Sequence, residues 1–103
     1  MATFSIDYDG TWTSDRGLFA QFVVSAVERG HRVIVTTNRV GAGPWRAEVL
    51  RSLQGLPVAD VVFAGPVPKR EAVRARGYWV DVWIDDDPQT VETVLGWRRG
   101  PRG

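Results

Sequence analysis

Thr3-Phe4-Ser5-Ile6-Asp7-Tyr8-Asp9-Gly10-Thr11 reads as a short apolar-rich strand that delivers two carboxylates into a Gly-Thr turn. Residues two apart in a strand point to the same side, so Asp7 and Asp9 are expected to converge if extended geometry persists that far. Gly10 lets the backbone turn sharply and leaves amide N–H groups free to face an anion. Convergent carboxylates repel each other unless a divalent cation sits between them. The stretch therefore reads as a metal site that also holds phosphate. The plainer reading is a strand ending in a solvated turn, and the rest of the chain decides between the two.

The segments that follow alternate in type. Leu18, Phe19, Phe22, Val23, Ala26 and Val27 keep helical spacing, with Asp15 as N-cap and Gly30 as the stop. Val33-Ile34-Val35 is a wholly apolar strand, as expected of a central parallel strand covered on both faces, and it runs into Thr36-Thr37-Asn38-Arg39. Pro44 opens a second helix with Val49, Leu50 and Leu53 inward, ended by Gly55. Val61-Val62-Phe63 is a third strand, closed by Gly65-Pro66. Lys69 to Arg76 is a short helix, Trp79 to Ile84 a fourth strand with Trp79 and Trp83 as packing residues, and Asp85-Asp86-Asp87-Pro88 follows it. A last helix places Val91, Val94, Leu95 and Trp97 inward. Strand and helix alternating four times imply an α/β fold with a parallel sheet between helices. Ligands in such sheets bind beyond the carboxyl ends of the strands. Three of the four strands end there in functional groups, and the third, ending Ala64-Gly65-Pro66, offers none.

With 103 residues the chain is expected to form one domain over residues 1–97, followed by a basic, flexible tail at 98–103. A net charge of +1 gives no global basic field for nucleic acid. The absence of cysteine excludes disulfides and thiolate metal sites, so any metal ligation falls to carboxylates, which favours magnesium or calcium over zinc. His31, the only histidine, reads as a surface residue after the first helix. No apolar run is long enough for a membrane helix and no signal-peptide pattern opens the chain, so a cytoplasmic setting without membrane contact is expected. Gly41-Ala42-Gly43 lacks the spacing of a dinucleotide fingerprint and reads as a turn.

Taken together, the ordered set resembles the haloacid dehalogenase (HAD) superfamily of phosphohydrolases. Asp7-Tyr8-Asp9-Gly10-Thr11 matches the family's first motif, Thr37-Asn38-Arg39 the second with Thr36 as the alternative, Lys69 the third, and Asp85-Asp86 the fourth. The resemblance spans nearly the whole chain and implies a Rossmann-like three-layer sandwich with a short, mainly parallel four-stranded sheet. It implies a magnesium-dependent phosphatase in which Asp7 is nucleophile, Asp9 general acid and base, and Thr37 and Lys69 bind the phosphoryl oxygens. Magnesium would be held by Asp7, Asp9 through its carbonyl, Asp85 and Asp86. A receiver domain fits less well, because its phosphoacceptor Asp ends the third strand.

Too few residues separate the motifs for a cap domain, so a capless member is expected. A large substrate, such as a nucleotide or a nucleic-acid terminal phosphate, or a second copy of the chain would then cover the site. Trp12 as a stacking surface, with Arg39, Arg46 and Lys69 as a basic rim, would suit a nucleic-acid end. The rival expectation is a phosphatase-like core kept as a binding or regulatory module.

Overall fold

The computed structural model describes residues 1–93. It is an α/β fold with one four-stranded, all-parallel sheet, as the alternating pattern predicts. Strand β1 (Thr3–Asp7) is followed by a single 3₁₀ turn at Trp12–Ser14 and helix α1 (Arg16–Glu28). Then come β2 (Arg32–Thr37), α2 (Gly43–Ser52), β3 (Asp60–Phe63), α3 (Lys69–Ala75), β4 (Val82–Ile84) and α4 (Gln89–Glu92). Parallel neighbours cannot be joined by a tight hairpin, so each successive pair needs a helical crossover.

The strand order is β3-β2-β1-β4. The chain runs outward from β1 through β2 to β3, then crosses back so that β4 lies on the other side of β1. The direction of winding thus reverses between β1 and β4, which places a crevice at their carboxyl ends.

Alternation along the strands sorts side chains into two layers. Ile6, Tyr8, Val33 and Val35 pack with Val23 and Ala26 of α1 and Val49 of α2 on one face. Ile34 and Val62 pack with Val73 of α3 and with Val80 on the other. Each such fully buried aliphatic side chain contributes roughly 1.5–3 kcal/mol. The run Val33 to Thr37 is buried throughout, as a central strand covered on both faces must be.

Local signals set the helix ends. Asp15 caps α1 by accepting the Leu18 amide at 3.0 Å, and Gly30, with φ of 90°, supplies the left-handed turn out of it. Pro44 sits in the first turn of α2.

Several sequence expectations are corrected. Leu18 and Leu50 are exposed, although helical spacing put them inward. The fourth strand is Val82–Ile84 rather than Trp79–Ile84, because the Asp81 carboxylate takes the Thr3 amide at 2.8 Å and the ladder begins only at Phe4 opposite Val82. Trp79 therefore is not a packing residue of a strand. It is 68% exposed, with the Arg74 guanidinium 4.3 Å above its ring. Trp83 does pack, against the α3-side cluster. The expected inward positions of Val94, Leu95 and Trp97 and the basic tail at 98–103 lie outside the described residues. No helix among the described residues is long and apolar enough to cross a membrane.

Candidate active site at the carboxyl edge of the sheet

Asp7 is the last residue of β1, and the parallel register sets it beside Thr36 at the end of β2. Lys69 is the first residue of α3, on the face of the sheet toward which Asp7 points. Its buried ammonium donates to Asp7 Oδ1 at 2.8 Å and to Asp85 Oδ2 at 2.6 Å. A lysine in the first turn opposes the helix dipole, so the two carboxylates rather than the helix hold it there.

Thr11 closes the other side. Its hydroxyl shares its proton between Asp7 Oδ2 at 3.2 Å and Asp86 Oδ1 at 3.3 Å, and it accepts the Asp86 amide at 2.9 Å. Residues 75 positions apart in sequence are thus tied across the β1–β4 crevice.

Gly10 permits this approach in two ways. Its φ is +85°, and a Cβ there would lie 2.8 Å from Asp86 Cγ. Only glycine combines that backbone with that neighbour.

Asp7, Asp85 and Asp86 each offer a carboxylate oxygen, and these oxygens all lie within 4.8 Å of one another. An all-oxygen, anionic donor set of that spacing fits a hard divalent cation such as magnesium. Burial pushes the Asp7 carboxyl up to about 7. The Lys69 ammonium pulls it down, and a hydrogen bond with Asp86 that favours the protonated form adds to the rise. Three carboxylates around one ammonium leave excess negative charge, which a bound cation offsets.

Thr37 lines the same cavity, of about 1140 Å³, that Asp7, Lys69, Asp85 and Asp86 line. Its oxygen accepts the Arg39 amide at 3.1 Å, so its proton remains available for an oxygen ligand. Thr36, the alternative from sequence, has its hydroxyl bonded to Ser5 at 2.7 Å in the buried layer and is not at the cavity.

Asp9 departs from expectation. β1 ends at Asp7, so the alternation that would have aimed both carboxylates together stops there. The Asp9 side chain turns to the rim, where both its oxygens accept from Arg39, at 2.8 and 2.9 Å. Its carboxylate therefore stands outside the cluster formed by Asp7, Asp85 and Asp86.

The expected basic rim is also not formed. Lys69 is buried, Arg39 is paired with Asp9 and Glu48, and Arg46 lines a separate groove, its guanidinium over Phe63. Trp12 is 1% exposed and packs near Phe19, so it offers no stacking surface.

Two contributions were not visible in the sequence. Asn38 donates from Nδ2 to the carbonyls of Gly65 and Val67, at 3.0 and 3.2 Å, tying the end of β2 to the loop that presents Lys69. That loop, expected to contribute nothing, places Gly65 and Pro66 in the cavity wall. Thr11 was visible as part of the first motif, but its bridging of Asp7 and Asp86 depends on a contact distant in sequence.

Comparison with protein-family models, with curated proteins and with solved structures finds no match.

Proposed function

We propose that this chain is a magnesium-dependent phosphomonoester hydrolase of the haloacid dehalogenase kind, acting through an aspartyl-phosphate on Asp7. The observation that carries this reading is the meeting of Asp7, Thr37, Lys69, Asp85 and Asp86, from four separate segments, around one cavity at the carboxyl edge of the sheet. Burying a lysine among carboxylates that outnumber it costs stability that apolar packing would not. Clusters of that kind are characteristic of sites that do chemistry.

In the first half-reaction a carboxylate oxygen of Asp7 attacks phosphorus, and the bond from Asp7 to phosphorus forms as the ester P–O bond breaks. Lys69 and Thr11 each hold one oxygen of Asp7 and so fix the plane of the nucleophile. Asp9 gives a proton to the departing oxygen. In the second half-reaction water attacks phosphorus, Asp9 takes its proton, and the bond from Asp7 to phosphorus breaks to release inorganic phosphate. The Thr37 hydroxyl and the Lys69 ammonium hold the non-bridging oxygens, where the transition state carries its charge. Magnesium, which Asp7, the Asp9 carbonyl, Asp85 and Asp86 would hold, would neutralise charge on phosphate and nucleophile.

The substrate proposed is a nucleotide or nucleic-acid terminal phosphate, in a cytoplasmic setting. Only a short 3₁₀ turn stands between Thr11 and α1, and a cavity of about 1140 Å³ exceeds what a small ester fills. The test is hydrolysis of a chromogenic phosphate ester with and without magnesium, by the wild type and by Asp7→Asn. Magnesium-dependent turnover that drops to background in Asp7→Asn is expected. A folded Asp7→Asn protein with wild-type turnover excludes covalent catalysis through this residue.

A further inference from the structure

The rim of the cavity carries an ion-pair cluster that joins Asp9 to Arg39 and, through it, to Glu48, two residues to which the reaction above gives no role. The Arg39 guanidinium donates from Nε and Nη2 to the two oxygens of Asp9, and from Nη1 to Glu48 Oε1 at 3.0 Å. It lies 5.2 Å from the centroid of the buried Tyr8 ring. These hydrogen bonds, that to Asp9 foremost, hold the guanidinium well above its ordinary range. The Arg39 side chain is largely buried, while the two carboxylates that it grips are about half exposed. The cation is thus fixed at the wall of the cavity, and its anionic partners face water.

Two consequences follow from the geometry. Both oxygens of Asp9 are spent on Arg39, so this side chain must leave the fork before it can reach a leaving group. The fork is also the geometry in which a guanidinium grips a phosphate, two parallel N–H bonds to two oxygens. A phosphate entering the cavity offers the guanidinium the same two-oxygen geometry as Asp9 with more charge, so it can take the place of the half-exposed carboxylate. Arg39 lines the same cavity as Lys69 and Thr37 but belongs to the loop after β2, which also places the exposed Val40 at the wall. The reacting phosphoryl group is already matched by Lys69 and Thr37.

We infer that Arg39 is a specificity-determining residue that binds a second anionic group of the substrate, a further phosphate or a phosphodiester, and by that exchange releases Asp9 to the reaction. The inference rests on the phosphohydrolase reading and adds a substrate class to it: phosphomonoesters whose organic part carries another phosphate. Glu48 competes with the incoming anion for Nη1 and sets how readily the exchange occurs.

The test compares kcat/KM for a nucleoside 3′,5′-bisphosphate, the matching 3′- and 5′-monophosphates, and a 3′-phosphorylated dinucleotide. Wild type, Arg39→Ala, Arg39→Lys and Glu48→Gln are measured with magnesium present. The wild type is expected to favour the substrates with two anionic groups about tenfold or more. Arg39→Ala is expected to lose that advantage, with KM rising for the substrates with two anionic groups and kcat for the monophosphates rising toward theirs as Asp9 is freed. Arg39→Lys is expected to keep part of it. Glu48→Gln is expected to lower KM for those substrates alone, which keeps the inference testable if Arg39→Ala does not fold.

The dinucleotide separates a nucleic-acid end from a free bisphosphate as the source of the second anion. Equal efficiency on all four substrates, or an advantage that survives in Arg39→Ala, overturns the inference while leaving the phosphatase reading intact. Absence of hydrolysis of these substrates and of a chromogenic ester overturns both.

Discussion

Replacing Lys69 by methionine isolates the electrostatics of the site from its packing. The ammonium is 3% exposed and lies 2.8 and 2.6 Å from the Asp7 and Asp85 carboxylates, which are 7% and 2% exposed. Methionine keeps the volume of the stem, so the loss is not a cavity effect. Removing one partner of a buried ion pair costs roughly 3–5 kcal/mol, because the other charge stays buried and unpaired. One lysine serves two carboxylates here, so the upper part of that range, about 4–5 kcal/mol, is expected where both are ionised. At about 4–8 °C per kcal/mol for a domain of this size, melting should fall by about 20 °C or more at pH 8 in EDTA.

The deficit should depend on pH, with a definite sign. Burial raises Asp7 from 3.8 to about 7 in the folded protein, and Lys69 acts to lower it. Between those values the folded chain binds the proton that the unfolded chain has lost. Stability from this group is therefore greatest below about 4 and falls as pH rises through 7, by about 4 kcal/mol in total. Loss of Lys69 raises Asp7 further, and at pH 5 Asp7 is protonated in both proteins. The deficit there should shrink toward the loss of the Asp85 pair alone, roughly 3 kcal/mol, at the lower end of the range for a broken buried pair. Urea unfolding of both proteins at pH 5 and pH 8 in EDTA measures the difference. A deficit under about 1 kcal/mol at pH 8, or an equal one at both pH values, would refute this account of the buried cluster.

Magnesium should raise the melting temperature of the wild type by mass action, more at pH 8 than at pH 6, since below about 7 the proton on Asp7 competes with the cation. Fluoroberyllate should add to the shift, and a melting temperature indifferent to both would remove the metal site from consideration. Gly10→Ala should cost about 1–2 kcal/mol for the left-handed backbone and push Asp86 from the cluster, so its melt should lie lower and lose the magnesium shift. A Gly10→Ala protein with the full shift would show that Asp86 is not needed at the site.

The parts of the fold legible in sequence were those governed by local pattern. The apolar run Val33–Val35 identified a strand buried on both faces, and Asp15 and Gly30 marked the ends of α1, because these signals act within a few residues. Trp79 failed for the opposite reason. Its neighbourhood reads as a strand, but whether a ladder forms there depends on which group of the segment before β4 answers the Thr3 amide, and the Asp81 side chain does so. Leu18 and Leu50 failed because helical spacing gives a face but not its width, and the sheet covers only part of each face.

The site divides along the same line, and Asp9 shows why. Asp7, Lys69, Asp85 and Asp86 were legible because strand ends and a helix start carry them, and the parallel sheet brings such ends together whatever lies between. Asp9 lies two residues past the last residue of β1, beyond the reach of the pleat, so its direction is decided by whichever cation stands nearest. That cation is Arg39, from the end of β2, 30 residues away in sequence. Spacing alone made Asp9 a partner of Asp7, whereas pairing makes it a partner of Arg39. In the proposed reaction Asp9 would therefore have to leave Arg39 before it could act on a leaving group, whereas Asp7 is already held in the cavity by Lys69 and Thr11.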